Sequence, residues 1–246
     1  MRRFFTEPEN VKNDIAELIE DAGHIKKVLR MEIGDRIIVF DGSGFQYECE
    51  LVEIENKVCR AKIIGKEEST SEPETKVYLF QGLPKSGKME TIIQKAVELG
   101  VYEVVPVIMD RCVLRLDEKA KTDKTKRWQK VAVEAVKQCG RGLVPKVHTP
   151  VKFSEAVKML KELDLAFMPY EEMGHSGQRG LKELLKDFNG KSIGFIVGPE
   201  GGFSDAEVTL AKENKISTIG LGSRILRTET AGSTVISIIM YELDEI

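Results

Sequence analysis

Two apolar runs in the last quarter of the chain constrain the fold most, because each ends in a polar loop that leads into a helical pattern. The first run, 193–197, is followed by the loop GPEGG at 198–202. The second run, 217–220, is followed by the loop LGSRILRTETA at 221–231. Apolar strands of this kind are typical of a parallel sheet that is buried on both faces, and such sheets bind ligands at the carboxyl ends of their strands. We therefore expect both loops to line one ligand site.

The residue types in the two loops suit a bound ligand. Three glycines around a proline permit positive φ angles and a close approach of the backbone to a flat molecule. The sequence SDAE at 204–207 has the pattern of a capping box and predicts a helix start. In the second loop Arg224, Arg227 and Glu229 precede a helical pattern, where free backbone N–H groups point at anything bound. Either loop alone would more often be a turn or a helix cap, but together they favour a cofactor site.

The combination of GPEGG and LGSRILRTETA resembles the SPOUT class of trefoil-knotted RNA methyltransferases, specifically those that methylate N3 of a uridine in small-subunit (16S) ribosomal RNA. The resemblance covers essentially the whole chain and includes EAVKQCGRGLVP at 134–145. It implies an α/β fold, with a SPOUT trefoil-knot domain that has a mainly parallel sheet, preceded by a small PUA-like β-barrel domain that binds RNA. The pattern of strands and helices alone predicts an ordinary doubly wound fold, so the knot follows only from the resemblance.

A polar stretch divides the chain, which is long enough for two domains. In residues 1–70, strands with alternating apolar and polar residues surround a turn signal at 41–44, which predicts a small barrel or sandwich. The polar, proline-containing stretch 67–75 is interpreted as a linker. In residues 73–246 strands alternate with helices, and the last helix is expected at 234–243.

S-adenosylmethionine is the cofactor that the resemblance implies. Its adenine needs an apolar slot with backbone donors and acceptors at the edge, which the loops after three strands would supply. The cofactor-binding candidates are Met168, Pro169, Tyr170, Glu171, Val197, Gly198, Pro199, Glu200, Gly201, Gly202, Leu221, Gly222, Ile225, Leu226, Thr228 and Ala231. Methyl transfer from a cationic sulfonium needs no metal, and the sequence has no metal-ligand spacing, so we expect no metal ion.

The proposed acceptor, uridine N3, carries a proton and is a poor nucleophile until that proton leaves. A nearby arginine would stabilise the negative charge that develops on the base, and Arg227, Arg224 and Arg141 are the candidates in falling order. Glu229 is a candidate proton acceptor, but a carboxylate at a helix start is equally suited to a structural cap. Arg141 has an alternative role as an ordinary helix-terminal residue. The target base must be unpaired or flipped to be reached.

Basic residues cluster locally, although a formal net charge of −3 argues against indiscriminate binding to nucleic acid. The RNA-binding candidates are Arg2, Arg3, His24, Lys26, Arg30, Lys85 and Lys88. For each basic cluster the alternative is a solvated face without a ligand. The resemblance implies ribosomal RNA, in the assembled small subunit, as the substrate, and a homodimer in which a second subunit adds basic surface to the site.

The octet GLPKSGKM at 82–89 offers a different function, because it nearly satisfies the phosphate-binding pattern of nucleotide triphosphatases. Its last position is Met89, whose thioether cannot hold Mg²⁺ as the hydroxyl of that pattern does. A P-loop-type nucleotide-binding or nucleotide-hydrolysing protein therefore stays only as the alternative.

Cellular location is inferred from what the sequence lacks. The four cysteines, Cys49, Cys59, Cys112 and Cys139, show neither CxxC nor metal-like spacing and are interpreted as reduced, packed thiols. No run of about 18 apolar residues predicts a membrane span, and no apolar segment of a signal peptide follows the basic start. We expect a cytoplasmic protein.

Overall fold

A computed structural model describes residues 1–85, 87–170 and 180–246 and divides the chain into two compact units. The first unit contains Met1–Glu72 and Val133–Val144, and the second contains Pro73–Ala132 and Pro145–Ile246. The first unit thus includes a segment from the middle of the chain that the sequence pattern assigns to the second domain.

The first unit is built on a six-stranded mixed sheet. Its strands are β1 (Arg2–Phe5), β2 (Val11–Lys12), β3 (Ile15–Leu18), β4 (Arg36–Phe40), β5 (Phe45–Ile54) and β6 (Cys59–Glu68). Their order is β1-β4-β5-β6-β3-β2, in which β1 is parallel to β4 and the other neighbours are antiparallel. A 3-10 helix (Pro8–Asn10) and a π-helical turn (His24–Val28) accompany the sheet.

The alternating strands of this sheet bury one face. Ile37 and Val39 of β4 and Cys49 and Leu51 of β5 are fully buried, as expected for residues two apart on neighbouring strands. The predicted turn at 41–44 is confirmed, with glycines of φ +78° and +92° at its second and fourth positions. Burial, followed by the charge of the adjacent glutamate, raises the pKa of the Cys49 thiol to about 12. All four cysteines are free.

Residues 67–75, predicted as a linker, include an anchored residue. Glu72 Oε1 accepts hydrogen bonds from the N–H groups of Gly142 (2.8 Å) and Leu143 (3.0 Å). Its Oε2 accepts from Arg141 Nε and Nη2 at 3.1 and 2.8 Å, and Arg141 is only 4% exposed. Because a buried guanidinium must be paired, Glu72 has a structural role. The first two residues of the stretch, 67 and 68, belong to strand β6, which ends at Glu68. The division into two units nevertheless falls inside this stretch, between Glu72 and Pro73, and the linker interpretation stays a prediction.

The second unit is built on a parallel sheet with helices between its strands. Its strands are β7 (Lys76–Gly82), β8 (Glu103–Ile108), β9 (Lys146–Val147), β10 (Val151–Lys152), β11 (Leu165–Pro169), β12 (Ser192–Val197) and β13 (Ser217–Ile219). Their order is β10-β8-β7-β12-β11-β13, with β9 also beside β8, and each pairing among the described residues is parallel. The predicted parallel sheet is confirmed.

Six α-helices are described. They are α1 (Lys88–Glu98), α2 (Glu118–Cys139), α3 (Phe153–Lys161), α4 (Leu181–Leu185), α5 (Asp205–Glu213) and α6 (Thr228–Glu242). Helix α1 buries the apolar side chains of one face and is followed by Gly100 at φ +94°, a common way for a helix to end. Up to Ala132, α2 belongs to the second unit.

Close packing of a helix on the sheet explains a glycine inside β12. A Cβ on Gly194 would lie 2.3 Å from Leu163 Cδ1 and 2.7 Å from Leu160 Cδ2. The absence of a side chain therefore lets the end of α3 approach the strand. On the neighbouring strand, Phe167 stacks on Phe195 with ring centroids 5.7 Å apart.

The last helix begins earlier than predicted. Helix α6 starts at Thr228 rather than at residue 234, because the carbonyl of Arg227 already accepts the N–H groups of Thr230 (2.8 Å) and Ala231 (2.9 Å). The second half of the LGSRILRTETA motif is thus the first turn of a helix.

Candidate active site

The carboxyl ends of β11, β12 and β13 lie side by side at one edge of the parallel sheet. The loop 198–202 leaves β12, and the loop 220–227 leaves β13. Tyr170, directly after β11, donates its N–H to the Ile219 carbonyl at 2.9 Å. The two loops therefore meet at one edge of the sheet, as the sequence predicts.

The glycines of the 198–202 loop are required by its tight fold. Pro199 O accepts the Gly202 N–H at 2.9 Å, and Gly202 has φ +68°. A Cβ on Gly198 would lie 3.3 Å from the Gly202 backbone, and one on Gly201 would lie 2.9 Å from Arg111 Cβ. The loop backbone is consequently compact, with little room for side chains on its inner surface.

Residues after β8 hold one side of this loop. Arg111 Nη1 donates to Gly201 O at 3.0 Å, and Ser204 Oγ donates to Asp110 Oδ2 at 2.6 Å. The predicted capping box is confirmed, because Ser204 Oγ accepts the Glu207 N–H (3.3 Å) while Glu207 Oε2 accepts the Ser204 N–H (2.9 Å). The start of α5 is fixed in this way, and with it the end of the loop.

A buried hydrogen-bond chain joins the two loops to β7. Gln81 Nε2 donates to Thr228 Oγ1 at 2.9 Å, and Thr228 Oγ1 donates to Gly198 O at 2.7 Å. Gln81 is 0% exposed, and its Oε1 has no hydrogen-bond partner among the described residues. Gln81 was not among the predicted site residues, although a polar residue directly after the apolar run 77–80 is a usable signal.

An ion-pair network also joins the two loops. Lys88 Nζ lies 3.0 Å from Glu200 Oε1 and 3.1 Å from Glu229 Oε2. The Lys85 N–H donates to both Glu200 oxygens, at 3.2 and 3.1 Å. These contacts connect the start of α1 to the 198–202 loop and to the first turn of α6.

The ion-pair network raises the pKa of its lysine and lowers the pKa values of its two glutamates. Hydrogen bonds to Glu200 and then to Glu229 raise the pKa of Lys88. Burial alone would raise the pKa of Glu200, but hydrogen bonds from its own N–H, from Lys88 and from the Lys85 N–H outweigh burial and lower the pKa. The pKa of Glu229 is lowered mainly by its own backbone N–H and also by Lys88 and Arg227. All three groups are therefore charged at neutral pH.

The 220–227 loop presents groups that are open to solvent. Gly222 has φ +100°, and a Cβ there would meet nothing within 4 Å. Ile225 is 76% exposed, although it is a large apolar side chain. Arg224 and Arg227 are exposed as well, and Arg227 is the N-cap residue of α6. An exposed apolar residue between two arginines suits a surface that a ligand covers.

The structure distributes the other cofactor-binding candidates over these three loops. Met168, Val197, Gly198, Pro199, Thr228 and Ala231 are buried, whereas Pro169, Tyr170, Gly202, Leu221 and Leu226 are half-buried. Glu171 lies outside the described residues. The described candidates thus include both buried residues and residues that solvent can reach.

Candidates for contact with RNA in the first unit differ in exposure. Arg2, His24, Lys26 and Arg30 are exposed, and their role stays a prediction. Arg3 is half-buried, and its guanidinium donates to Gln46 Oε1 (2.6 Å) and to Arg141 O (3.0 Å). Burial lowers the pKa of Arg3. These internal contacts, and the pairing of Arg141 with a carboxylate of the same unit, favour structural roles for both arginines.

The described residues of the octet, 82–85 and 87–89, have contacts that do not suit a phosphate loop. Lys88, which would face a nucleotide in such a loop, contacts two carboxylates instead. Met89 is buried, so it offers no ligand to a metal ion. Among residues 1–85, 87–170 and 180–246, no group of three or more His, Cys, Asp or Glu residues could hold a metal ion. In the same part of the chain, no helix is long and apolar enough to cross a membrane.

The sheet, its three loops and the accompanying PUA-type unit place the chain among the RNA methyltransferases. Residues 71–240 match the RNA methyltransferase domain family, and residues 20–64 match the RNA methyltransferase PUA domain. The chain belongs to this RNA methyltransferase family.

Named relatives resemble the chain over nearly its full length. It is 35% identical to ribosomal RNA small subunit methyltransferase E of Bacillus subtilis, over 99% of this chain and 98% of that protein. The crystal structure of methyltransferase E from Neisseria gonorrhoeae bound to S-adenosylmethionine has a TM-score of 0.86 at 30% identity, covering 98% of this chain and 97% of that one. A putative methyltransferase of Legionella pneumophila, in complex with the same cofactor, has a TM-score of 0.86 at 29% identity, covering 97% and 96%.

Proposed function

We propose that this protein transfers a methyl group from S-adenosylmethionine to N3 of a uridine in small-subunit ribosomal RNA. The observation that carries the proposal is the meeting of the 198–202 and 220–227 loops at the carboxyl edge of a parallel sheet. Membership of the RNA methyltransferase family and the cofactor in two relatives' structures support the choice of ligand. The choice of uridine N3 rests on the resemblance of the two loop motifs.

The residues of these loops fit such a cofactor. An adenine ring needs apolar walls and backbone polar groups, and the exposed Ile225 supplies apolar surface. The open backbone at Gly222 lets a flat ligand approach closely. When bound, the cofactor supplies an electrophilic methyl group on a positively charged sulfur. The proposed binding set is the described cofactor candidates together with Glu171.

The proposed chemistry assigns separate roles to Arg227 and Glu229. As N3 loses its proton, negative charge spreads over the flanking carbonyl oxygens of the base, and we assign its stabilisation to the exposed Arg227 guanidinium. Glu229 stays ionised and so is able to accept a proton, but its lowered pKa makes it a weak base. Arg224 remains a second candidate on the same loop. Arg141 is the least favoured candidate because Glu72 already pairs with it.

The family resemblance extends the proposal to knot, assembly and location. We propose a trefoil knot in the second unit, a homodimer, and action in the cytoplasm on ribosomal RNA in the assembled small subunit. These parts of the proposal rest on the resemblance alone.

Calorimetric titration of the full chain with S-adenosylmethionine, with ATP·Mg²⁺ in a parallel cell, tests the cofactor. We expect binding of S-adenosylmethionine alone, and binding of ATP alone would overturn the proposal. Methylation of small subunits from cells that lack this activity, followed by mass spectrometry of nucleosides, tests the acceptor. Methyl groups on another base or position would overturn the assignment of uridine N3.

Replacement of Arg227 by alanine tests its role. We expect cofactor affinity to stay within about twofold and turnover to fall about 10²- to 10³-fold, the usual cost of one donor to a developing charge. Lys212→Ala on α5 is the matched control, because it removes one exposed positive charge away from the loop. Unchanged turnover in Arg227→Ala would remove this residue from the mechanism.

A further inference from the structure

Lys88 forms ion pairs with one of the two cofactor loops and with the helix that follows the other. It is the first residue of α1, and its ammonium contacts Glu200 of the 198–202 loop and Glu229 in the first turn of α6. Because both carboxylate oxygens lie within 3.1 Å of one nitrogen, they lie no more than about 6 Å from each other. Two carboxylates at this separation repel each other unless a cation lies between them.

The contacts of Lys88 argue against its predicted role in RNA binding. An ammonium group has three hydrogens, and two of them are directed to carboxylates here. The charge of Lys88 is offset by the two glutamates, so Lys88 has no unpaired positive charge to offer a phosphate group.

We propose that Lys88 is a positioning residue that holds the 198–202 loop and the start of α6 at the separation that the methyl donor requires, and that it does not contact RNA. This inference rests on the proposed function. Loss of the ammonium would leave Glu200 and Glu229 without their shared counter-charge, and their repulsion would widen the space between the loops. The buried hydrogen bonds that join Thr228 to Gln81 and Gly198 would remain, so the second unit would stay folded.

Lys88→Met tests the inference because it keeps the length of the side chain and removes its charge. We expect the affinity for S-adenosylmethionine to fall about 3- to 10-fold, which is the range for loss of one or two partly exposed ion pairs. We expect the affinity for ribosomal RNA, and its dependence on salt, to stay as in the unmodified protein. Lys88→Arg should restore most of the cofactor affinity. Lys95→Met is the matched control, since Lys95 pairs with Glu98 on the same helix away from the loops.

A double-mutant cycle separates positioning from a general loss of stability. In a Glu229→Gln background the further change Lys88→Met should cost less cofactor affinity than it does alone, because the repulsion has been removed. Equal costs in both backgrounds would overturn the inference. A second result would also overturn it: in Lys88→Met the cofactor affinity is unchanged, and the salt dependence of RNA binding falls by about one phosphate contact. Failure of the unmodified protein to bind S-adenosylmethionine would instead overturn the proposed function, and this inference with it.

Discussion

A methyl group added to Gly82 would collide with the 198–202 loop. A Cβ there would lie 2.7 Å from both Cδ and N of Pro199, and 2.8 Å from Met109 Sδ. Carbon atoms in contact stay about 3.5 Å apart or more, so Gly82→Ala must displace Pro199 by roughly 0.8 Å. The thioether can rotate away, but the loop backbone cannot move freely because Glu200 and Gly201 are held by hydrogen bonds on either side.

The expected cost of Gly82→Ala has two parts. Overpacking of this kind destabilises a protein by about 1–3 kcal/mol, which urea denaturation measures. A displacement of nearly 1 Å in a loop that positions a substrate can lower turnover by about 10²-fold, which a methylation assay measures. Gly180→Ala is the control, because a Cβ at Gly180 meets nothing within 4 Å and φ there is −80°. Unchanged stability and turnover in Gly82→Ala would refute the argument that Pro199 is held rigidly.

Three further predictions concern single side chains. Thr228→Val should lower the free energy of unfolding by about 1–3 kcal/mol in urea, because two buried partners lose their hydrogen bonds, whereas Thr228→Ser should be close to unchanged. Glu72→Ala should lower the melting temperature of the first unit, at a cost of about 3 kcal/mol, because it removes the carboxylate that pairs with the buried Arg141, and an equal effect of Glu74→Ala at its exposed site would contradict this. At pH 8 a thiol reagent should modify Cys139 first, since the other three thiols are buried. Mass spectrometry of the partly modified protein measures the order, and earlier modification of any other cysteine would contradict this prediction.

The position of the site could be predicted because strand and loop signals were strong. The unbroken apolar run of β12 indicated a buried parallel strand, and the edge at which parallel strands bind ligands then follows from geometry. The capping box at Ser204 and Glu207 depends only on residues three apart, so the sequence alone located the start of α5. Local chemistry of this kind is encoded within a few residues.

The contacts that hold the site together could not be predicted, because they join residues far apart in the chain. Lys88 and Glu229 are separated by 141 positions, and Gln81 and Thr228 by 147. In the sequence Lys88 had the surroundings of a basic loop, which suggested phosphate as its partner. Glu72 belongs to a polar stretch that is typical of a linker, and its partner Arg141 is 69 positions away. Pairing across such distances depends on tertiary structure, which residue patterns do not record.

The pairing of β7 with β12 has a consequence for how the protein folds while it is being synthesised on the ribosome. Lys76 pairs with Ser192, so the central strand of the second unit is synthesised more than a hundred residues before one of its two neighbours. At translation rates of about 5–20 residues per second, the wait is roughly 6 to 25 s. During that time β7 can pair with β8 but exposes an open edge to other nascent chains. The loop that follows β12 can take its place only once the last quarter of the chain is being made.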